Sequence, residues 1–479
     1  MTMSGVQNAR DGDELVSSAD GVQHVPKGWR VVSVAGFALN GGLRDGLHRA
    51  GMQHRMLVRH DAGGGPPYPN ELLRIEDLDG LPLSRKPART FWHRPPYALP
   101  FRLVRYAPMS EKAEVLDTAV IGTRGKFPEF LGGLERTIAL LVRDAVSGNH
   151  RGRTSLSFDK IAVGEHSRLR PASIDRMISK WHMRLFSEWW SVGMTARPLP
   201  EIVERGEAGA IEWLYPNQGD AYLADPFPWP GTDRLLCEQM PFDGGAGRII
   251  ALEPGQSGSW RMSGVVLENG RHHSYPCTMK DGDHTYFLPE APLRGETVLY
   301  DLSPDHKPTP LCPVAPGRRL ADPTLFKHGG RYWIACTDID IGLDNNLCLL
   351  HAEKPVGPWQ PHRCAPVKID VCGARPAGPL FSLGPHLFRP GQDCARTYGG
   401  SVVIHRVDAL SPEHYRETVV ARLRPDPDGP FPHGLHTIAS HQGRIWVDGK
   451  RFVFDLAGLR RKLIRRFKRN DASAKDVFE

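Results

Sequence analysis

A unit of about 50 residues recurs through the second half of this 479-residue chain, and it constrains the fold more than any other feature. The first copy reads Ala224-Asp225-Pro226-Phe227, a turn at Gly231, then the apolar run Arg234-Leu235-Leu236-Cys237-Glu238. The second has Ser274-Tyr275-Pro276, a turn at Asp281-Gly282, then Thr285 to Leu288 and Glu290. The third has Ala321-Asp322-Pro323, a turn at Gly329-Gly330, then Tyr332 to Ala335. The fourth opens on Ala374-Arg375-Pro376 and continues to Gln392-Asp393. The fifth has His433 to Thr437, a turn at Gly443, then Ile445-Trp446-Val447-Asp448. The prolines at 226, 276, 323 and 376 lie 50, 47 and 53 residues apart, the length of one four-stranded blade. Five units fill about 206–455, and blades set radially bury one another's faces. The chain is therefore expected to be mainly β, with a five-bladed β-propeller at 206–455; a β-sandwich with coincidental Asp-Pro turns is the alternative. The 50 Gly and 42 Pro suit such a turn-rich architecture.

Upstream the texture differs. Residues 1–26 are polar, carry no apolar core of a secretory signal, and read as a disordered leader. Residues 27–205 read as a smaller α/β and helical domain. Trp29 to Gly36 has the pattern of a buried strand, Leu43 to Ala50 that of a helix, and Met56 to Val58 that of a second strand, a β-α-β opening. Val115 to Ile121 is a further strand, and Leu134 to Val142 and Ile174 to Trp190 have helical spacing. Gly36 and Gly41-Gly42 do not complete the dinucleotide pattern, so a plain turn competes with a phosphate-cradling loop there.

The net charge of +7 is a local feature. Arg460, Arg461, Lys462, Arg465, Arg466, Lys468 and Arg469 supply seven positive charges with no acid among them. The remainder is formally neutral, which argues against a nucleic-acid surface. Leu456, Leu459, Leu463 and Phe467 recur at steps of three and four, so 456–479 is expected to be a basic amphipathic tail resting on an anionic membrane surface. A solvated helix packed on the propeller is the alternative. All eight Cys fall at or after Cys237 with no C-x-x-C pair, and no apolar run is long enough to span a bilayer. These features suggest reduced thiols and a cytoplasmic protein, peripheral on the inner face of the cell membrane.

A propeller brings the first strands of its blades around one axis, where Asp225, His273 or Tyr275, Asp322, Arg375 and His436 are expected to converge. Acids, a guanidinium and imidazoles in one polar hole suit glycan or phosphate recognition; Asp-Pro turn capping is the plain alternative. Glu238, Glu290 and Asp393 sit at or just after strands. They are candidates for further acids, hydroxyl binders or, with Asp225, ligands of a divalent cation. No cofactor is named by the residues, and no His or Cys pair has zinc-ligand spacing, so no metal site is assigned.

The Asp-Pro-strand repeat resembles the five-bladed propellers of the arabinanase, levansucrase and invertase superfamily. A further string is similar to the propeller domain of the glucosamine inositolphosphorylceramide transferase type. It comprises His273 to Pro276, Leu288-Pro289-Glu290, Gly357-Pro358-Trp359, Ala374 to Gly378, Arg389 to Cys394, Tyr398-Gly399 and His436-Thr437. That domain occurs in plants beside a separate transferase domain, and in bacterial proteins of surface-glycan synthesis. In the hydrolase relatives, Asp residues of the first and third blades work with a Glu of the fourth. Asp225 and Asp322 match the two Asp positions, but Arg375 stands where the Glu would be. A guanidinium cannot serve as a general acid, whereas it can fork onto a phosphate. The resemblance thus implies a glycosyltransferase-like enzyme that passes sugar from a nucleotide-sugar donor to a glycan or glycolipid acceptor. Asp225, Asp322 and Glu290 would be catalytic, and Glu238, His273, Tyr275, Arg375, Asp393 and His436 would bind substrate. A glycoside hydrolase and a non-catalytic carbohydrate-binding propeller are the competing readings.

Overall fold

The structure is a computed structural model. It describes residues 16–17, 29–35, 54–59, 71–77, 80, 83, 98–106, 113–124 and 127–148 of a first unit. Of a second it describes 185–454 apart from 215–220, 243–244, 257–258, 292–296 and 304–306. The first unit, which ends at His166, holds β1 (Val16–Ser17), β2 (Trp29–Ala35), β3 (His54–Arg59), β4 (Glu71–Glu76), β5 (Ala98–Tyr106) and β6 (Ala113–Gly122), then α1 (Phe127–Ser147). These strands form one sheet in the order β1-β3-β2-β4-β5-β6. The expected strands at 29, 56 and 115 and the helix at 134 are present. However, β2 and β3 pair antiparallel, so they are not the two parallel strands of a β-α-β unit; β2 runs parallel to β4 instead. Leu43 to Ala50, the Gly36 loop and the leader 1–26 lie outside the described residues, save Val16–Ser17, which contrary to the expected disorder are strand β1 paired antiparallel with β3. On α1, Phe130, Leu134, Ile138, Leu141, Val142 and Ala145 are buried at steps of three and four, the stripe expected of a helix laid on a sheet.

The second unit opens with β7 (Phe186–Thr195), α2 (Leu199–Arg205) and β8 (Glu212–Trp213). Four blades follow in chain order. The first is β9 (Ala221–Pro228), β10 (Leu235–Pro241), β11 (Arg248–Pro254) and β12 (Trp260–Leu267). The second is β13 (Ser274–Asp281), β14 (His284–Glu290), β15 (Thr297–Asp301) and β16 (Thr309–Val314). The third is β17 (Leu320–His328), β18 (Arg331–Asp338), β19 (Asn346–Ala352) and β20 (Gln360–Pro361), with β21 (Lys368–Ile369) also on β19. The fourth is β22 (Phe381–Leu383), β23 (His386–Asp393), β24 (Ser401–Leu410) and β25 (Tyr415–Leu423). In the fifth, β26 (Ile438–His441) and β27 (Arg444–Phe454) come from the end of the described chain, and β7 and β8 come from the start of the unit. The result is the five-bladed propeller that the repeat predicts.

The propeller does not begin at 206. β27 pairs with β7 over ten residue pairs, from Ile445↔Thr195 to Phe454↔Phe186, so its last blade is half built from residues assigned to the upstream domain. The expected helix Ile174 to Trp190 accordingly fails at Phe186–Trp190, which are strand; residues 174–184 lie outside the described set. Trp189 and Trp190 mimic helical spacing, but each aromatic ring belongs to one face of a strand.

Between blades the apolar faces interlock. Phe227, Tyr275, Phe287, Leu288, Leu325 and Ile334 are part of one buried cluster that spans the first three blades. Each such side chain contributes about 1.5–3 kcal/mol by leaving water. The fourth and fifth blades meet at Gly378, whose φ is +118° and where a Cβ would lie 2.1 Å from the Ile438 carbonyl oxygen. Ile438 N–H donates to Ala377 O at 2.9 Å beside it.

A chain starting at Ser167 should therefore show a single cooperative thermal unfolding transition by circular dichroism. A chain starting at Gly206 lacks β7, and loss of that transition is the expected outcome.

Candidate functional site

The inner strands carry an unusual backbone. Asp225, Tyr275 and Asp322 each precede a proline and each has a positive φ, of 53°, 46° and 49°. Side chains rarely adopt this region, and holding them there costs about 1–3 kcal/mol each. In each case the register with the second strand shifts at that point: between Leu236 and Glu238, Ser274 and Cys277, and Ala321 and Thr324. The proline N has no hydrogen to give the ladder, and the bulge takes up the extra residue. The three bulges bring Asp225, Tyr275 and Asp322 together through a chain of hydrogen bonds. This is the geometry that the repeated X-Pro motif encodes.

Asp225 and Asp322 have different partners. Asp225 Oδ1 accepts from the Thr437 hydroxyl at 2.8 Å and lies 3.7 Å from His436 Nε2. Its Oδ2 accepts the Tyr275 N–H at 3.1 Å. Asp448 holds this group from behind. Asp448 Oδ1 accepts the N–H groups of His436 and Thr437 at 2.9 and 3.0 Å. Asp448 Oδ2 accepts the Asp225 N–H at 3.1 Å and lies 2.6 Å from His436 Nδ1. Trp190 stacks on the His436 ring at 4.0 Å. Asp448, His436 and Asp225 thus form a carboxylate–imidazole–carboxylate row.

At Asp225, burial and the neighbouring carboxylates favour the protonated form and the His436 cation favours the ionised one. Burial pushes the Asp225 carboxyl up, His436 opposes it, and Asp448 and Asp322 add to the rise, to about 6. Burial by itself lowers His436, but Asp448 and Asp225 outweigh it and the imidazolium is held above its ordinary range. Glu238 and Glu290 are both held well above the ordinary carboxylate range by burial first and by neighbouring acids second. Asp225, His436 and Asp448 are close enough together to suggest a metal cage. The donor set does not favour one, because Asp448 already accepts three backbone N–H groups and both nitrogens of the His436 ring face carboxylates, as those of an imidazolium do.

Arg375 is committed. Its Nε and Nη2 fork onto Asp322 at 2.6 and 3.2 Å, and Nη1 reaches Leu343 O and Asp344 Oδ1 at 3.1 Å each. Nη2 also donates to the Tyr398 hydroxyl at 3.4 Å. All five donors are used, so the phosphate fork expected from the sequence has nothing to offer. Asp322 takes a further bond from Gln392 Nε2 at 2.7 Å, and its N–H donates to Glu290 Oε2 at 2.7 Å.

Tyr275 is fully buried. Its hydroxyl sits 2.8 Å from Thr324 Oγ1 and accepts the Gly378 N–H at 2.7 Å, tying three blades together. It packs the axis instead of offering a ring to a sugar. His273 Nε2 lies 2.9 Å from Asn269 Oδ1, a neighbour on its own loop. Asp393 is drawn away from the acids: it accepts from Arg422 Nη1 of β25 at 3.0 Å and from Ala395 N–H. The structure therefore gathers Asp225, Asp322, Glu238, Glu290, Arg375 and His436, and leaves His273 and Asp393 outside the row. Residues 460–469 lie outside the described residues.

Sequence reasoning missed Asp448, Gln392, Tyr398 and Trp190. Asp448 had a usable signal, since it stands in the second strand of its copy, after the apolar run, as Glu238 and Glu290 do in theirs. Removing its carboxyl as Asp448→Ala strands three buried N–H groups and an imidazolium. That should cost about 3 kcal/mol or more in denaturant unfolding.

Residues 220–427 match the family model described as glucosamine inositolphosphorylceramide transferase 1, N-terminal. The enzyme of that name from Oryza sativa subsp. indica is 30% identical over 258 residues, which is 48% of this chain and 34% of the relative. That from Arabidopsis thaliana is 30% identical over 260 residues, with the same shares. The chain thus spans about a third of the length of these curated relatives. Among solved structures, a family 117 glycoside hydrolase from Zobellia galactanivorans is 13% identical with a TM-score of 0.36, covering 57% of this chain and 92% of its own. An alpha-L-arabinofuranosidase from Clostridium thermocellum is 9% identical with a TM-score of 0.31, covering 42% and 74%. Over residues 220–427 the chain is thus similar to the glucosamine inositolphosphorylceramide transferase N-terminal family, the resemblance that its motif string carries.

Proposed function

We propose that this chain acts in glycosyl transfer during glycolipid or surface-glycan synthesis, moving a sugar from a nucleotide-sugar donor to a hydroxyl of a glycan or lipid-linked acceptor. The relatives' names motivate the reaction class, and one observation carries the site. Asp225 is a buried carboxyl held near pKa 6 beside the His436 imidazolium, at the point where the blades converge. Such a group accepts a proton from an attacking hydroxyl at neutral pH and releases it again afterwards. Asp448 is a positioning residue in this reading, because it fixes the imidazole that faces the base. The acceptor is neutral and rich in hydroxyls, which suits an axis lined by acids, whereas the diphosphate of a donor has to be met by groups other than Arg375.

Asp225→Asn should abolish sugar transfer and leave the thermal unfolding midpoint within a few degrees of wild type; a fully active variant would sink the role. The pH dependence has a definite sign. Activity that needs ionised Asp225 rises through about pH 6 and falls below it. Stability moves the other way. Between the ordinary carboxylate range, about 4, and this raised value the folded chain keeps a proton that the unfolded chain has released, so this group's contribution falls as pH rises through the window.

A second reading, glycoside hydrolysis, is favoured by the same two acids heading the first and third blades. Release of free sugar from an oligosaccharide without a nucleotide donor would select it.

We further propose that the basic tail holds the protein on the anionic inner face of the cell membrane, at about 1 kcal/mol per basic residue. Among the described residues no helix is long and apolar enough to cross a membrane. Truncation after Asp455 should release the protein from anionic vesicles in a sedimentation assay while leaving its unfolding transition in place.

A further inference from the structure

Glu238 differs from the other acids of the axis. It stands on β10 opposite Ala224, the residue before Asp225, and is 8% exposed. Asp225, Asp322, Asp448 and Glu290 each accept at least one hydrogen bond. Among the described residues the Glu238 carboxyl accepts none. Among the described residues the basic group within 4 Å of it is His272, with Nε2 3.7 Å from Glu238 Oε1.

His272 is poorly placed to become a cation. The Gly247 N–H donates to its Nδ1 at 3.0 Å, so the neutral ring carries its hydrogen on Nε2, the atom facing Glu238. A second proton would have to go on Nδ1 and break that bond. The arrangement needs glycine at 247: a Cβ there would lie 2.7 Å from Glu238 Oε1 and 2.8 Å from the His272 ring. The charged groups that act on Glu238 most strongly are Asp225, Glu290, Asp322 and Asp448 along the axis, with Tyr222 of β9 beside them, all of them acids. The two cations of the axis are bound to other acids, Arg375 to Asp322 and His436 to Asp448, and burial, then the neighbouring acids, holds the Glu238 carboxyl well above the ordinary carboxylate range. Burial likewise lowers His272 below its ordinary value, in keeping with a neutral ring.

We propose that Glu238 is the proton donor of this site, taking the part that Arg375 cannot play at the head of the fourth blade, and that His272 is its positioning residue. The proposal rests on the reading of Asp225 as the base. The acceptor O–H bond breaks and its proton passes to Asp225. The acceptor oxygen bonds to the anomeric carbon of the donor. The bond from that carbon to the leaving oxygen breaks, and the electron pair stays with that oxygen. Glu238 gives the leaving oxygen its proton and becomes a carboxylate. Solvent later returns a proton to Glu238 and removes one from Asp225. A phosphate oxygen and a glycosidic oxygen share this chemistry, and a protonated carboxyl receives either without repelling it.

The first test needs no substrate. Infrared difference spectra of the full chain at neutral pH, wild type against Glu238→Gln, should show a protonated-carboxyl carbonyl band that the variant lacks. A spectrum without that difference overturns the assignment of Glu238 whatever becomes of Asp225. The second test is transfer from a panel of nucleotide sugars. Glu238→Gln should lower kcat by about 100-fold with little change in KM. It should also remove the alkaline limb of the pH profile, leaving the acid limb near pH 6. His272→Phe, which removes the N–H facing Glu238, should move the alkaline limb to higher pH, a change that a purely structural role would not produce. A Glu238→Gln variant unaltered in kcat both for transfer from nucleotide sugars and for cleavage of unactivated glycosides overturns the donor role, even with the infrared band present. If the same variant retains transfer from nucleotide sugars but loses cleavage of unactivated glycosides, the glycosidic oxygen is the one served. A wild type without transfer to any acceptor overturns the reading of Asp225 and the donor role together, and the infrared result separates that failure from the first.

Discussion

Everything at the axis depends on the pairing of β27 with β7. A ring of blades is held open or shut by how its last sheet is completed, and here the sheet takes strands from both ends of the unit. The same ladder places Trp190 of β7 against His436, and Asp448 of β27 behind Asp225. Closure and the acid–imidazole row are thus one structural event. A chain with an open ring would lose the Asp448 carboxylate from its position under the first blade, and Asp225 would lose the partner for its own backbone N–H.

The axis has more acids than bases. Asp225, Glu238, Glu290, Asp322 and Asp448 face Arg375 and His436. In buried surroundings an unpaired carboxylate is expensive, and the pocket resolves the surplus by protonation as well as by pairing. Asp322 has its guanidinium and Asp448 its backbone N–H groups and imidazolium, whereas Glu238 and Glu290 are driven toward the neutral form. A different solution operates inside the fourth blade. There Glu417, fully buried, accepts from Arg389 Nε and Nη2 at 2.7 Å each and from Lys368 Nζ at 2.9 Å, and it is held well below its ordinary range: burial opposes this, but Arg389, His405 and Lys368 prevail. The contrast separates a structural charge, surrounded by cations, from the reactive acids of the axis, where cations are scarce.

The repeat was legible because each copy carries the same local demand, a residue before proline followed by an apolar strand and a glycine turn. Asp225, Tyr275 and Asp322 could be placed at equivalent positions on that basis alone. The limits of the propeller were not legible, because β7 lies outside the repeat and its pairing with β27 joins residues 250 or more apart. The state of Arg375 was likewise hidden. Its residue type allows a phosphate fork, and only the positions of Leu343, Asp344 and Tyr398, brought by two loops, show that every donor is used. Tyr275 shows the same limit: whether an aromatic ring meets solvent or pins three blades is a matter of tertiary packing.

The bulges of the inner strands have one more consequence. Each holds the residue before its proline in a conformation set by the backbone and not by the side chain, and Asp occupies two of them while Tyr occupies the third without altering the turn. The propeller thus contains a set of interchangeable sockets whose aim is inherited by whatever residue is installed. On such a scaffold new chemistry arises by replacing the occupant of a socket, while the strained backbone that directs it stays as it was.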